Sequence, residues 1–98
     1  MEMEVEKGSA LCQCRGGKIK LGRMVKGNSN SVTIPLECPK DCQPVGTVHT
    51  HPSSNSYPSS VDVTSLRKAQ LPISCILGKQ GLRCYNILKS PPQRLKGA

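Results

Sequence analysis

The sequence predicts an α+β domain, a mixed and mostly antiparallel β-sheet carrying one main helix. Three observations lead there. Runs of period-2 alternation, bounded by Gly and Pro, fill the first half of the chain. A capping-box pattern, Ser59-Ser-Val-Asp62, opens the single stretch with helical spacing. Two apolar runs around Gly78-Lys-Gln-Gly81 read as a closing hairpin. With 98 residues there is room for one domain, residues 1–89, followed by a Pro-rich tail, residues 90–98, expected to be disordered.

The elements follow in order. Met1–Glu6 alternates Met or Val with Glu, so Glu2, Glu4 and Glu6 share one face of a strand that continues to Cys14. Arg15-Gly-Gly17 turns the chain into a second strand, Lys18–Lys26. Gly27–Ser31 is a loop, and Val32–Leu36 is a short strand that Pro35 restricts to an edge or an end. Val45–His51 is a β-rich run, and residues 52–58 form a polar loop. The helix runs from its N-cap Ser59 to about Gln70, burying Val63, Leu66 and Ala69, and Pro72 stops it.

Leu, Ile and Val number 21, and Phe and Trp are absent. A core this lean calls for a metal, a crosslink or a partner. No apolar run approaches the ~18 residues of a membrane span, so no membrane partner is expected. The acidic start argues against a targeting peptide, which makes the cytoplasm the default location. There is neither GxGxxG nor GxxxxGK[ST], which removes the usual nucleotide-binding loops.

The net charge of +8 invites a nucleic-acid reading. The 14 basic residues are scattered, however, and only Tyr57 and Tyr85 are available for stacking on bases. A solvated basic surface is the better account, and specific nucleic-acid binding is not expected.

Six cysteines leave several readings open. Cys12-x-Cys14 and Cys38-x3-Cys42 resemble two halves of a zinc knuckle, although C-x-C is not the usual spacing. Cys38–Cys42 is itself a candidate disulfide. If Leu77 pairs with Leu82, Cys75 lies opposite Cys84, near enough to crosslink. A mesophilic cytoplasm keeps thiols reduced, with hyperthermophile proteins as the exception.

The chemistry concentrates in residues 49–62. His49 and His51 sit at i and i+2 on a strand, so both imidazoles face one side. Asp62 follows on the first helical turn, and the loop between can fold it back over the strand end. Two imidazoles and one carboxylate form a catalytic zinc set with one position left open. Taken singly, each part has a structural explanation: a strand-end His pair is common, and Ser59 with Asp62 is accounted for by capping. Their coincidence is what points to a site, since both histidines and the last acid of the chain lie in one window.

His49-Thr-His51-Pro52, six residues, Ser59, two residues, Asp62 resembles the H-x-H-P-x6-S-x-x-D signature of the JAMM (MPN-plus, Mov34/PAD-like) zinc metalloprotease family, matching at every defined position. Gly46-Thr-Val and Pro58 are similar as well, and a looser likeness runs from about Glu6 to Tyr85. The resemblance implies a JAMM/MPN, cytidine-deaminase-like fold with Zn2+ held by His49, His51 and Asp62. It also implies a general base on the first strand. Glu6, 43 residues before His49, fits that place. Glu4 is the fallback, being on the same face, and Glu37 lies in the Cys/Pro loop. The implied reaction is hydrolysis of an amide or isopeptide bond, with Glu6 moving the proton and Ser59 donating its hydroxyl to the oxyanion.

Two departures stand out. The family commonly has a helix before the glutamate strand, and here only five residues precede Glu6. The surface it covers must be bare, covered by another element, or covered by a partner chain, a homodimer included. The insertions of eukaryotic relatives also have no room. The chain therefore resembles a minimal prokaryotic or archaeal-type member, an isopeptidase acting at the C-terminus of a ubiquitin-like or sulfur-carrier protein. The alternatives are a non-catalytic zinc-binding interaction module and a basic protein associated with nucleic acid.

Overall fold

The structure is a computed structural model that describes residues 4–96. Its sheet has seven strands: β1 (Lys7–Cys14), β2 (Ile19–Leu21), β3 (Val25–Lys26), β4 (Cys42–Thr50), β5 (Ile73–Gly78), β6 (Gly81–Asn86) and β7 (Gln93–Arg94). The order across the sheet is β2-β1-β4-β5-β6-β7, and β3 also pairs with β1. Every pairing is antiparallel except β4 with β5. A parallel pair needs a crossover, and the one helix, α1 (Ser60–Lys68), supplies it. This is the α+β architecture expected. No described helix is long and apolar enough to cross a membrane.

α1 starts where its cap says it should. Ser59 Oγ accepts from Asp62 N at 3.2 Å, and Ser59 N donates to Asp62 Oδ2 at 2.9 Å, which completes the capping box. Leu66 packs with Ile76, Tyr85 and Ile87, and Val63 and Leu71 close around them. Ala69, expected to be inside, is exposed, because the helix ends at Lys68 and Ala69 is its C-cap.

From β1 to β4 the sheet departs from the sequence reading in four places. β1 begins at Lys7; the expected alternation over residues 1–3 lies outside the described residues. The expected strand over residues 18–26 splits in two at Gly22, whose N–H turns to Ala10 O at 2.9 Å. Residues 32–36 form no strand. Pro35 lacks a ladder donor, and Ile34 instead lies over β1 at Gly8. β4 starts earlier than expected, at Cys42, because a bulge absorbs Pro44: Leu11 faces Gly46 while Cys12 faces Pro44, leaving Val45 as the extra residue.

The segment expected to be a disordered tail contributes β7. Tyr85 pairs with Arg94, and Leu95 N donates to Cys84 O at 2.8 Å, so the exposed edge of β6 captures the chain. Residues 97–98 lie outside the described residues.

All six cysteines are crosslinked: Cys12–Cys38, Cys14–Cys42 and Cys75–Cys84. Cys75 does face Cys84, in the register that pairs Leu77 with Leu82. The zinc-knuckle reading and a Cys38–Cys42 bond are both corrected. Strand pairing sets Cys14 directly opposite Cys42, which leaves Cys38 to meet Cys12. These crosslinks answer the leanness of the core, each native disulfide typically contributing about 2–4 kcal/mol.

Candidate metal centre

The site lies where the C-terminal end of β4, the entry to β1 and the first turn of α1 meet. His49 is 2 % exposed, His51 is 9 % exposed, and Glu6 is 8 % exposed. Their ligand atoms all lie within 4.8 Å of one another. Asp62 Oδ2 stands 3.0 Å from His49 Nε2 and 3.8 Å from His51 Nε2, and the two Nε2 atoms are 3.0 Å apart.

Each side chain has a local reason to be there. Glu6 is held from both sides of its backbone: Glu6 N donates to Asn28 O, and Gly27 N donates to Glu6 O, each at 2.8 Å. Asn28 is fixed in turn, since its Oδ1 accepts from Asn30 N and Ser31 N, both at 2.9 Å. Opposite His49 in the sheet stands Gly8. A Cβ at Gly8 meets His49 Cβ at 3.0 Å and Ile34 Cδ1 at 2.6 Å, so the absence of a side chain at residue 8 lets both His49 and Ile34 pack close to β1.

His51 is oriented by the loop that follows it. Its Nδ1 lies 3.0 Å from Asn55 O. A carbonyl can only accept, so Nδ1 carries the hydrogen and Nε2 presents its lone pair to the site. This fixed tautomer is the arrangement metal-binding histidines use. Asn55 approaches because residue 78 is glycine; a Cβ there meets the Asn55 carbonyl group at 2.7 Å.

The anchor of the loop is Ser56, a residue the sequence reading passed over. Its hydroxyl donates to Gly81 O at 2.6 Å and accepts from Gly78 N at 3.0 Å and Gln80 N at 3.2 Å. Tyr85 Oη donates to Ser56 O at 2.7 Å. Ser56→Ala removes the partner of two part-buried backbone donors, Gly78 N and Gln80 N, and of the Gly81 carbonyl. It is expected to lower unfolding free energy by about 1–3 kcal/mol in denaturant melts.

The carboxylates respond to these surroundings in opposite directions. Burial drives the Glu6 carboxyl above the ordinary range, and the nearby imidazoles of His51 and His49 offset only part of that rise. Burial also acts to raise Asp62, but the hydrogen bonds with His49 and Ser59 outweigh it, so Asp62 stays below its usual value and ionised.

The donor set fits a zinc ion. Tetrahedral ligands at the zinc distances typical of His and carboxylate lie about 3.3 Å from one another. The separations of 3.0, 3.0 and 3.8 Å among His49 Nε2, His51 Nε2 and Asp62 Oδ2 bracket that value. His51 Nε2, whose lone pair faces the site, lies 3.0 Å from His49 Nε2, a contact that needs a proton or a cation between the two nitrogens. His49 Nδ1 is buried with no partner among the described residues. Ser59, by contrast, is exposed and has its hydroxyl committed to the helix cap; no hydrogen bond joins it to the histidines. Glu4 is exposed and Glu37 pairs at 3.7 Å with Arg23, so the structure brings neither to the histidines as it brings Glu6.

A sheet whose strand end presents H-x-H to an aspartate on the following helix, with a buried glutamate just before the neighbouring strand, defines a domain of the JAB/MPN class. Comparisons with known proteins agree. The family model for prokaryotic homologs of the JAB domain matches residues 18–88, most of the chain, and the protein belongs to that family. The matched range contains His49, His51, Ser59 and Asp62 but stops short of Glu6. A solved JAB1/MPN domain protein from Archaeoglobus fulgidus superposes with a TM-score of 0.57, covering 93 % of this chain and 76 % of its own, at 18 % identity. That likeness is one of fold. Among curated proteins, none matches.

Proposed function

We propose that this JAB/MPN domain is a zinc-dependent peptidase or isopeptidase. Its substrate is an amide or isopeptide bond at the C-terminus of a small ubiquitin-like or sulfur-carrier protein. The observation that carries the reading is the convergence of Asp62 Oδ2 with both histidine Nε2 atoms at 3.0 and 3.8 Å, beside the buried Glu6 carboxylate.

His49, His51 and Asp62 would hold the ion. When bound, zinc lowers the pKa of a water and polarises a carbonyl. Glu6 is the proton carrier: it accepts a proton from the attacking water and delivers it to the leaving amine. Its rigid backbone tether to Gly27 and Asn28 keeps the carboxylate within 4.8 Å of the histidine nitrogens, within reach of a single intervening water. Ser59 Oγ accepts from Asp62 N and keeps its own proton to donate to the developing oxyanion.

The test is cleavage of a fluorogenic amide at the C-terminus of a ubiquitin-like protein by zinc-loaded enzyme. Activity is expected to disappear on chelation and return with zinc. A zinc-loaded protein that cleaves no such conjugate or peptide leaves a binding module instead. Ser59→Ala separates the two roles of that residue. Loss of the cap is expected to cost about 1 kcal/mol of stability. Loss of the oxyanion donor is expected to cost on the order of 10²-fold in rate. A stability loss with unchanged rate reduces Ser59 to a cap.

A further inference from the structure

The sheet carries a second feature on its other face. Alternation along β1 puts Lys7 on the side opposite Gly8. Lys7 pairs with Lys26, Lys7 N donates to Thr50 Oγ1 at 3.0 Å, Thr50 pairs with Leu77, and Leu77 pairs with Leu82. A row of side chains therefore crosses the sheet from two lysines to two leucines, each leucine 49 % exposed. A cavity of 520 Å³ lies over the part of this row from Lys7 and Lys26 to Leu77, at the end of the sheet. Lys7, Lys26 and Lys79 line it, Leu77 adds an apolar wall, and His51 borders it, so the cavity reaches the candidate metal centre.

The arrangement is costly as it stands. Lys7 and Lys26 are directly opposed, and like charges in that position repel. Glu4 also lines the cavity, yet no carboxylate of the described residues lies within ion-pair distance of any of the three lysines. An anion entering between them relieves the repulsion, and an aliphatic side chain beside that anion covers Leu77.

We infer that this cavity is a docking site for an acidic, leucine-bearing stretch of the protein substrate, its Asp or Glu carboxylates received by Lys7, Lys26 and Lys79. The inference rests on the peptidase reading and extends it, because it names what the enzyme recognises apart from the bond it cuts. The net charge of +8 draws such a partner in, and the three lysines give it a fixed place.

Binding tests this without turnover. The probes are a dye-labelled Ala-Asp-Asp-Leu-Gly-Gly amide, its Ala-Asn-Asn-Leu-Gly-Gly counterpart and a dye-labelled oligothymidylate, each titrated by fluorescence anisotropy. The acidic peptide is expected to bind about tenfold more tightly than the Asn peptide, the sum of its two exposed carboxylates' ion pairs with the lysines. The triple variant Lys7→Gln, Lys26→Gln, Lys79→Gln is expected to erase that difference. The triple variant Lys18→Gln, Lys20→Gln, Lys68→Gln removes the same charge from exposed positions outside the cavity and is expected to preserve it. Equal binding of the two peptides, or equal loss in both triple variants, overturns the docking site. Tighter binding of the oligothymidylate through the same three lysines overturns it too, in favour of a phosphate site. Discrimination between the peptides by an enzyme that cleaves nothing removes the peptidase reading and leaves the docking site standing.

Discussion

Glu6→Gln is expected to retain zinc and to lose about 10²–10⁴-fold in cleavage rate, the usual cost of removing a general base. The amide keeps the size and most of the hydrogen bonding of the carboxylate but cannot take a proton. The backbone of Glu6 is tied to Gly27 and Asn28 whatever the side chain is, so the variant is expected to fold normally. Glu4→Gln is the matched control. Glu4 is exposed where Glu6 is buried, and Glu4→Gln is expected to show no loss of that size, because Glu4 stands outside the proton-transfer step. Parallel measurement of zinc content and rate separates the outcomes. If Glu6→Gln loses zinc, Glu6 is a ligand. If Glu4→Gln is the dead variant, the base belongs two residues earlier.

His49→Ala is expected to bind no stoichiometric zinc and to lose all metal-dependent stabilisation. Metal that binds only the folded chain adds RT ln(1 + [L]/Kd), about 2.7 kcal/mol at a hundredfold excess over Kd. In a domain of this size that raises Tm by roughly 10–20 °C. The wild-type protein is therefore expected to lose that increment on chelation, while the Tm of His49→Ala does not respond to zinc or chelator. Chelated wild-type protein is expected to stay folded, because Cys12–Cys38, Cys14–Cys42 and Cys75–Cys84 stabilise it independently of the metal. Thermal melts of both proteins, with and without zinc, check this. A zinc-dependent rise in Tm for His49→Ala moves the binding site elsewhere.

Much of this molecule is legible in the sequence where one short-range rule decides the outcome. The helix start at Ser59 follows from side-chain spacing alone, and the capping box forms as read. The pairing of Cys75 with Cys84 follows from one hairpin register. His49 and His51 share a face because strands alternate, and Asp62 reaches them at 3.0 and 3.8 Å. Where partners distant in sequence decide, the reading fails. Val32–Leu36 has strand composition, but its surroundings place Ile34 over Gly8 rather than in a ladder. The choice of Cys12–Cys38 and Cys14–Cys42 depends on the β1–β4 register and its bulge, which spacing does not contain. Arg94 pairs with Tyr85 because β6 offers an open edge, a fact of topology rather than of tail composition.

The supports of the site were the least visible part. Asn55 orients His51 through its backbone carbonyl, which any residue type supplies. Ser56 and Asn28 look like ordinary polar loop residues until their partners are in view. One signal was available: Gly8 and Gly78 are glycines inside strands, where glycine often marks a close approach of another chain segment, and each adjoins the site.

X-ray absorption at the zinc edge of the reconstituted protein tests the central claim most directly. About one ion per chain is expected, with two imidazole nitrogens and the remaining ligands oxygen, as His49, His51, Asp62 and a water supply them. No bound zinc, or a first shell containing sulfur, contradicts the claim.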